Sequence, residues 1–340
     1  MDDTLRMWSL DARPGHEPDD ERCVERILGA AVLAPSGHNT QPWRFARRGA
    51  TIEVFADRTR ALPVVDPDDR ELLISCGCAL QNMEIAARAM GRPPRTEILP
   101  EPTNPDLLAR VSIAERGPAD DEAAALFTCI PRRRTNRGAY DIEPIAPRVI
   151  TRIAEAAAAE GARLAVVTER EAKGVLADLI AEGDRLQMAD RRFRRELAAW
   201  IISNHSARLD GIPGYGFGMS DLMAMMGPLV VRSFDIGRSQ AAKDRELAEG
   251  SPALCVLLTD GDGPRDHLIA GRAHQRATLV ALSEGLWTSY LNQPIEVDGL
   301  RPRVAAAIGD AAHPQLLTRI GRGESPDPTP RRPLREVLLS

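Results

Sequence analysis

The chain has 340 residues, too long for one ordinary core and suited to two modules of roughly 150 residues. A hydrophobic fraction of 43% with 27% charged residues is the balance of a globular protein, and aromatics at 4% leave the core to aliphatic residues and Ala. The net charge of -5 argues against bulk attraction to nucleic acid or an anionic membrane, so local basic clusters need local explanations. The first predicted element is a helix over residues 21–34, with Val24, Ile27, Leu28, Ala31 and Val32 on one face. It stops at Pro35-Ser36-Gly37, and Gln41-Pro42-Trp43 leads out of that turn. Alternation predicts a strand at 51–55, a long helix fills 69–91, and another strand lies at 111–114. Pro- and Gly-containing segments punctuate 100–106 and 141–148.

A second unit then begins, with a helix at 147–160, a strand at 163–167 and helices at 169–186 and 190–204. Residues 205–236 carry five glycines and Met219, Met223, Met225 and Met226 with little periodicity, which reads as an adaptable loop with one short helix. A buried strand at 253–258 and a helix at 264–284 follow, and the tail from Gly321 to Pro333 reads as extended. No GxGxxG follows a strand, no Walker segment occurs, and no Ser-His-Asp or Cys-His set has a recognisable context. Five scattered cysteines fit free thiols rather than a disulfide framework or a zinc site. The acidic N-terminus and the lack of a long apolar run point to a cytoplasmic chain with no membrane partner.

Residues 76–91 and 270–285 align without a gap. Gly77/Gly271, Ala79/Ala273, Gln81/Gln275, Ala87/Ala281 and Gly91/Gly285 are identical, five of sixteen positions. Each segment ends in Gly, as a left-handed cap requires. Two Ala-rich amphipathic helices can resemble each other by chance; the alternative is a tandem duplication in which one chain supplies both halves of an ancestral dimer.

The segment Ala34 to Phe45 (APSGHNTQPWRF) resembles the signature of flavin nitroreductases, in which a helix ends at Pro-Ser, an Asn follows and Gln-Pro-Trp leads into a strand. Arg133-Arg134-Thr135-Asn136-Arg137 resembles the Arg-Arg-Ser-x-Arg segment that grips the FMN phosphate in that family, and Pro330-Arg331-Arg332-Pro333 resembles its C-terminal basic segment. The first half has the Pro-Ser motif without the arginines, and the second half has the reverse. The resemblance runs from about 20 to 335 and is nearest to the tandem Acg-like subgroup. It implies an α+β fold of two fused halves, each a mainly antiparallel sheet flanked by helices. The first covers 1–125 and the second 126–340, with a lid-like insertion at about 205–236. Fusion removes the need to dimerise, leaving a monomer with an internal pseudo-dimer or a weak homodimer.

By the same resemblance one FMN is held by Pro35, Ser36, Gly37, Asn39 and Gln41, by Arg133, Arg134, Thr135 and Arg137, by Leu291, Asn292 and Gln293 near flavin N5, and by Arg331 and Arg332. The residue types suit it. Guanidinium forks match phosphate oxygens and stay charged, and donors near the ring edge favour the reduced flavin. Trp43 reads as core rather than stacking, and His38 as a weak acid candidate in a loop. The expected activity is FMN-dependent oxidoreduction through N5 on a small molecule, with NAD(P)H binding transiently over the ring. The alternative is a lidded protein that sequesters FMN with little turnover. A third reading, RNA binding by the arginines, conflicts with the acidic net charge.

Overall fold

The computed structural model describes residues 3–13 and 20–339. The expected α+β architecture is present as two four-stranded antiparallel sheets with helices against them. The chain enters through α1 (Asp20–Ala31), β1 (Trp43–Arg48), β2 (Thr51–Ala56), α2 (Arg70–Ala89), β3 (Pro94–Ile98), β4 (Leu107–Ile113) and α3 (Asp121–Cys129). It continues through α4 (Pro147–Ala158), β5 (Arg163–Val167), α5 (Arg170–Ala189), α6 (Arg191–Trp200), the short pair β6 (Ile201–Ile202) and β7 (Ile212–Pro213), α7 (Asp221–Ser233) and α8 (Gly237–Glu249). It closes with β8 (Ala253–Thr259), α9 (Pro264–Ser283), β9 (Trp287–Tyr290), α10 (Gln293–Glu296), α11 (Arg301–Ala307), β10 (His313–Gly321) and α12 (Leu334–Val337).

The two sheets have the same strand order. The first runs β1-β2-β4-β3 and the second β5-β8-β10-β9, with α2 and α9 at the same place in each. The difference lies in one connection. β1 and β2 are joined across Gly49-Ala50, whereas residues 168–252 intervene between β5 and β8. This connection is larger than the loop expected at 205–236. That stretch also holds a thirteen-residue helix, α7, whose N-cap Ser220 accepts a hydrogen bond from Met223 N. The Gly and Met content obscured its periodicity.

The repeat helices α2 and α9 pack on each other along their small residues. A Cβ on Gly271 would lie 2.8 Å from Gly77 Cα, and one on Gly77 would lie 3.0 Å from Gly271 Cα, so the aligned glycines mark the crossing. Gly91 and Gly285 both take positive φ, 68° and 75°, as the expected caps require. Charge closes the seam: Arg272 bonds Glu84 at 2.8 Å and Glu160 at 2.7 Å, and Arg276 reaches Glu160 and Glu122. One core cluster spans the seam, from Ile27, Trp43 and Met83 to Leu268 and Leu279. All five cysteines are free and buried. Among the described residues no helix is long and apolar enough to cross a membrane.

Candidate functional site

A cavity of about 700 Å³ opens between the Pro-Ser turn, the Arg133–Ala139 segment, β9–α10, the C-terminal tail and the 168–252 connection. Of the fourteen residues expected from sequence, twelve line it: Pro35, Ser36, Gly37, Asn39, Arg133, Arg134, Thr135, Arg137, Leu291, Asn292, Gln293 and Arg331. Gln41 and Arg332 do not. They are buried against each other behind the wall, where Arg332 N donates to Gln41 Oε1 at 2.8 Å and Arg332 Nη1 to Gln41 O at 3.1 Å. Gln41 Nε2 also donates to Leu209 O at 2.8 Å, so its role is to hold the turn to the connection.

The turn is tightly wound. His38, Asn39 and Gln41 all have positive φ (49°, 59° and 53°), an uncommon conformation for side-chain-bearing residues that the surrounding bonds sustain. Ser36 Oγ accepts from Gln41 N at 2.9 Å. The Asn39 side chain is fully engaged: Nδ2 donates to Gly211 O at 2.8 Å and Pro330 O at 3.1 Å, while Oδ1 accepts from Arg331 Nη1 at 2.7 Å. Asn39 therefore orients Arg331 rather than offering its own donors to the cavity. His38 is partly buried, and desolvation with the nearby Arg137 charge pushes its pKa down to about 4, which leaves it neutral at physiological pH. Trp43 is fully buried in the core.

The arginines form the site's main electrostatic feature. Arg133, Arg134 and Arg331 gather around Trp8, with guanidinium carbons 5.9, 3.7 and 4.6 Å from its ring centroid. The Trp8 indole is fixed by its N–H, which donates to Thr329 O at 2.7 Å. Among the described residues none of the three makes an ion pair. Their partners are main-chain carbonyls such as Leu33 O, Pro131 O and Ala34 O, besides the Asn39 and Thr329 side chains. The Nε atoms of Arg133 and Arg331 are buried without a hydrogen-bond partner. Burial lowers the pKa of Arg133, takes Arg134 down to about 9 and holds Arg331 well below the arginine range; for Arg331, repulsion from its two neighbours adds to this. Such a cluster demands an anion.

Arg319 was not singled out from sequence. It lies in β10, is 1% exposed, stacks on Tyr140 at 4.2 Å and has Nε and Nη1 unpartnered. The signal was available, since an arginine amid Leu316-Leu317-Thr318-Arg319-Ile320 is out of place in a buried strand. Trp8, Tyr290 and His274 were also missed; the His274 ring sits 2.8 Å from the Tyr290 hydroxyl, and burial pushes its pKa down to about 3.

Acids gather elsewhere on the cavity wall. Asp184 of α5 and Asp244 of α8 share Gln293 Nε2, at 3.1 and 2.8 Å. Glu296 accepts from Gln187 Nε2 at 2.6 Å and also faces Glu71. Desolvation raises Asp184 to about 8, with the Asp244 charge adding to it, and holds Glu296 well above the carboxylate range. Neither pattern was visible in sequence, since these residues come from four separate helices. Among the described residues no group of three or more His, Cys, Asp or Glu is placed to hold a metal ion.

No family model matches the chain. It is 32% identical to "Putative NAD(P)H nitroreductase Rv3131" of Mycobacterium tuberculosis, over 95% of this chain and 92% of that protein. It is 29% identical to "Putative NAD(P)H nitroreductase acg" of the same organism, over 93% and 95%. "Probable NAD(P)H nitroreductase PigM" of Serratia is 24% identical, over 94% of each. Among solved structures, the "FMN and NADPH-dependent nitroreductase NfnB from sphigopyxis sp. strain HMH" covers 62% of this chain and 96% of its own, at 20% identity and a TM-score of 0.43. Full-length similarity to the mycobacterial relatives, with the sequence motifs brought to one cavity, identifies the chain as a member of the nitroreductase family.

Proposed function

We propose that this chain is an FMN-dependent oxidoreductase acting on a small molecule, and that the 700 Å³ cavity holds the flavin and its reaction partner. The observation that carries this reading is the trio Arg133, Arg134 and Arg331, uncompensated around Trp8. A phosphate monoester dianion would offset two of the trio's three charges and satisfy the buried Nε donors through charge-assisted bonds. The donor set therefore fits FMN. When bound, FMN supplies two-electron transfer at N5. The protein's part is binding and exclusion. Asn39 and Trp8 hold the arginines, Arg137 packs its guanidinium over Phe217 at 5.2 Å, and Leu291–Gln293 line the cavity beyond β9. NAD(P)H is the proposed electron donor, entering the same cavity in turn with the acceptor.

The two matching sheets, with their equivalent helices α2 and α9 crossing at Gly77 and Gly271, support a duplicated chain divided near residue 125, with 168–252 as the element added to the second half. That element supports a second reading. It is strapped to the Pro-Ser turn by Asn39 to Gly211, by Gln41 to Leu209 and by an Arg60–Asp210 ion pair, while the Tyr215 hydroxyl donates to Pro328 O at 2.7 Å. A lid so fastened would exclude nicotinamide and leave a flavin-sequestering protein.

One experiment separates the readings. The purified protein is examined for visible flavin absorbance, then mixed with NADPH or NADH without oxygen. Rapid bleaching supports the oxidoreductase. Bleaching by dithionite alone supports sequestration. A colourless protein that takes up no added FMN defeats both.

A further inference from the structure

Asp184 is 2% exposed, lines the cavity and has one carboxylate oxygen, Oδ2, with no donor partner. Its other oxygen and Asp244 Oδ2 share a single amide, Gln293 Nε2; Asp244 gains one more bond, from Gln240 Nε2 at 2.9 Å. The Gln293 side-chain oxygen, Oε1, is likewise buried without a donor. The arrangement is firmly built. A Cβ on Gly183 would lie 2.8 Å from Gln293 carbonyl carbon, so only a glycine lets α5 come this close to α10. The amide–carboxyl pairs Gln293–Asp184 and Gln187–Glu296 then cross between the two helices. Two acidic side chains and an amide oxygen thus present acceptors to one part of the cavity with too few donors to satisfy them.

The charges near the pair do not make up the deficit. Arg185 on α5, Lys243 on α8, Arg319 on β10 and Arg137 of the Arg133–Ala139 segment act on it at a distance, and Glu296 lies one turn from Gln293 on α10. Among the described residues none of the four cations makes an ion pair with Asp184 or Asp244, and Lys243 is exposed. Without a ligand the remaining donor is a proton shared between the two carboxyls, consistent with the raised pKa of Asp184. The neighbouring wall is apolar, with Met188, Phe193, Ile236 and Leu247.

We propose that Asp184, Asp244 and Gln293 form a subsite for a primary ammonium group carried on an apolar body, the cationic end of the small molecule that enters this cavity. This rests on the proposed function only in treating the cavity as the substrate site. An ammonium offers three N–H donors, enough for Asp184 Oδ2, Gln293 Oε1 and Asp244. Its charge replaces the shared proton, which leaves to solvent as the ammonium enters.

The test uses benzylamine and its neutral counterpart benzyl alcohol, titrated calorimetrically into the purified flavoprotein at neutral pH in two buffers of different ionisation enthalpy. Benzylamine is expected to bind at least about tenfold more tightly than the alcohol and to release about one proton per site. D184N and D244N should each remove the amine preference and the proton release while flavin absorbance per protein stays at the wild-type level. Equal binding of the two probes, amine binding without proton release in the wild type, or a preference that survives in both variants would overturn the subsite. The wild-type proton count needs no variant to fold. Flavin content, read separately, reports on the proposed function, so failure of one reading is distinguishable from failure of the other.

Discussion

Two groups of buried and half-buried arginines in this molecule differ in what surrounds them. At the α2–α9 seam Arg272 and Arg276 reach Glu84, Glu160 and Glu122, carboxylates supplied by the fold itself. Around Trp8, Arg133, Arg134 and Arg331 are met by main-chain carbonyls and a few neutral side chains, with no acid in ion-pair range among the described residues. The first group has its charge compensated within the fold, although the Nε atoms of Arg272 and Arg276 also lack a hydrogen-bond partner. The second is finished only by an anion from outside. Composition does not separate them; charge compensation does, because an unpaired buried charge costs several kcal/mol and persists only where binding recovers it.

That contrast can be broken by substitution. The largest effect is expected from Arg133→Ala combined with Arg137→Ala: flavin absorbance per purified chain should fall to a small fraction of the wild type. Unchanged stoichiometry would mean the phosphate sits elsewhere. At the seam, Glu160→Ala leaves Arg272 and Arg276 short of a shared partner and should cost about 3 kcal/mol in denaturant unfolding, with flavin stoichiometry preserved. A loss near zero would show the seam network to be dispensable.

The acids of the cavity give a pH signature of intermediate size. Asp184 has a folded-state pKa of about 8 against an ordinary value of 3.8, so the native state binds more protons than the unfolded chain between these values. Stability of the flavin-free protein should therefore fall as pH rises from about 6.5 to about 8, the window in which the buried His38 and His274 are already neutral in both states, by at least about 1 kcal/mol. Glu296 and Asp66 contribute with the same sign, and Asp184→Asn should flatten the Asp184 share of the slope. A melting temperature that rises across this range would contradict it. The smallest effect sharpens the arginine contrast most. Arg133→Met removes a charge whose sole side-chain hydrogen bond among the described residues is a 3.5 Å contact to Leu33 O, so flavin-free stability should not fall while FMN affinity drops. A loss as large as that of Glu160→Ala would make Arg133 a structural residue.

Local chemistry was the part legible in sequence. Periodicity placed α1, α2, α4, β5, β8 and α9 within a few residues, because each has a strong apolar pattern and clear stops. The Pro-Ser turn, the 133–137 arginines and the Leu291–Gln293 segment were found as motifs, and the repeat marked the two helices that cross at Gly77 and Gly271. The reading went astray where packing overrides local signal. α7 was expected only as one short helix within a loop, because its glycine and methionines weaken the periodicity, and the full extent of the 168–252 connection shows only when the two sheets are compared. Gln41 and Arg332 carried family-like identities, yet they are engaged with each other behind the wall.

By itself, the sequence determined which residue types were available, their helical or extended periods and the family they resemble, since these depend on neighbours a few positions apart. Only the tertiary structure decided which charges found partners. Trp8, Asn39, Arg133 and Arg331 lie up to 323 positions apart, and Asp184, Asp244, Gln293 and Glu71, brought together in space by four helices, up to 222. Compensation of a buried charge depends on distances of a few ångströms, and no local pattern encodes them.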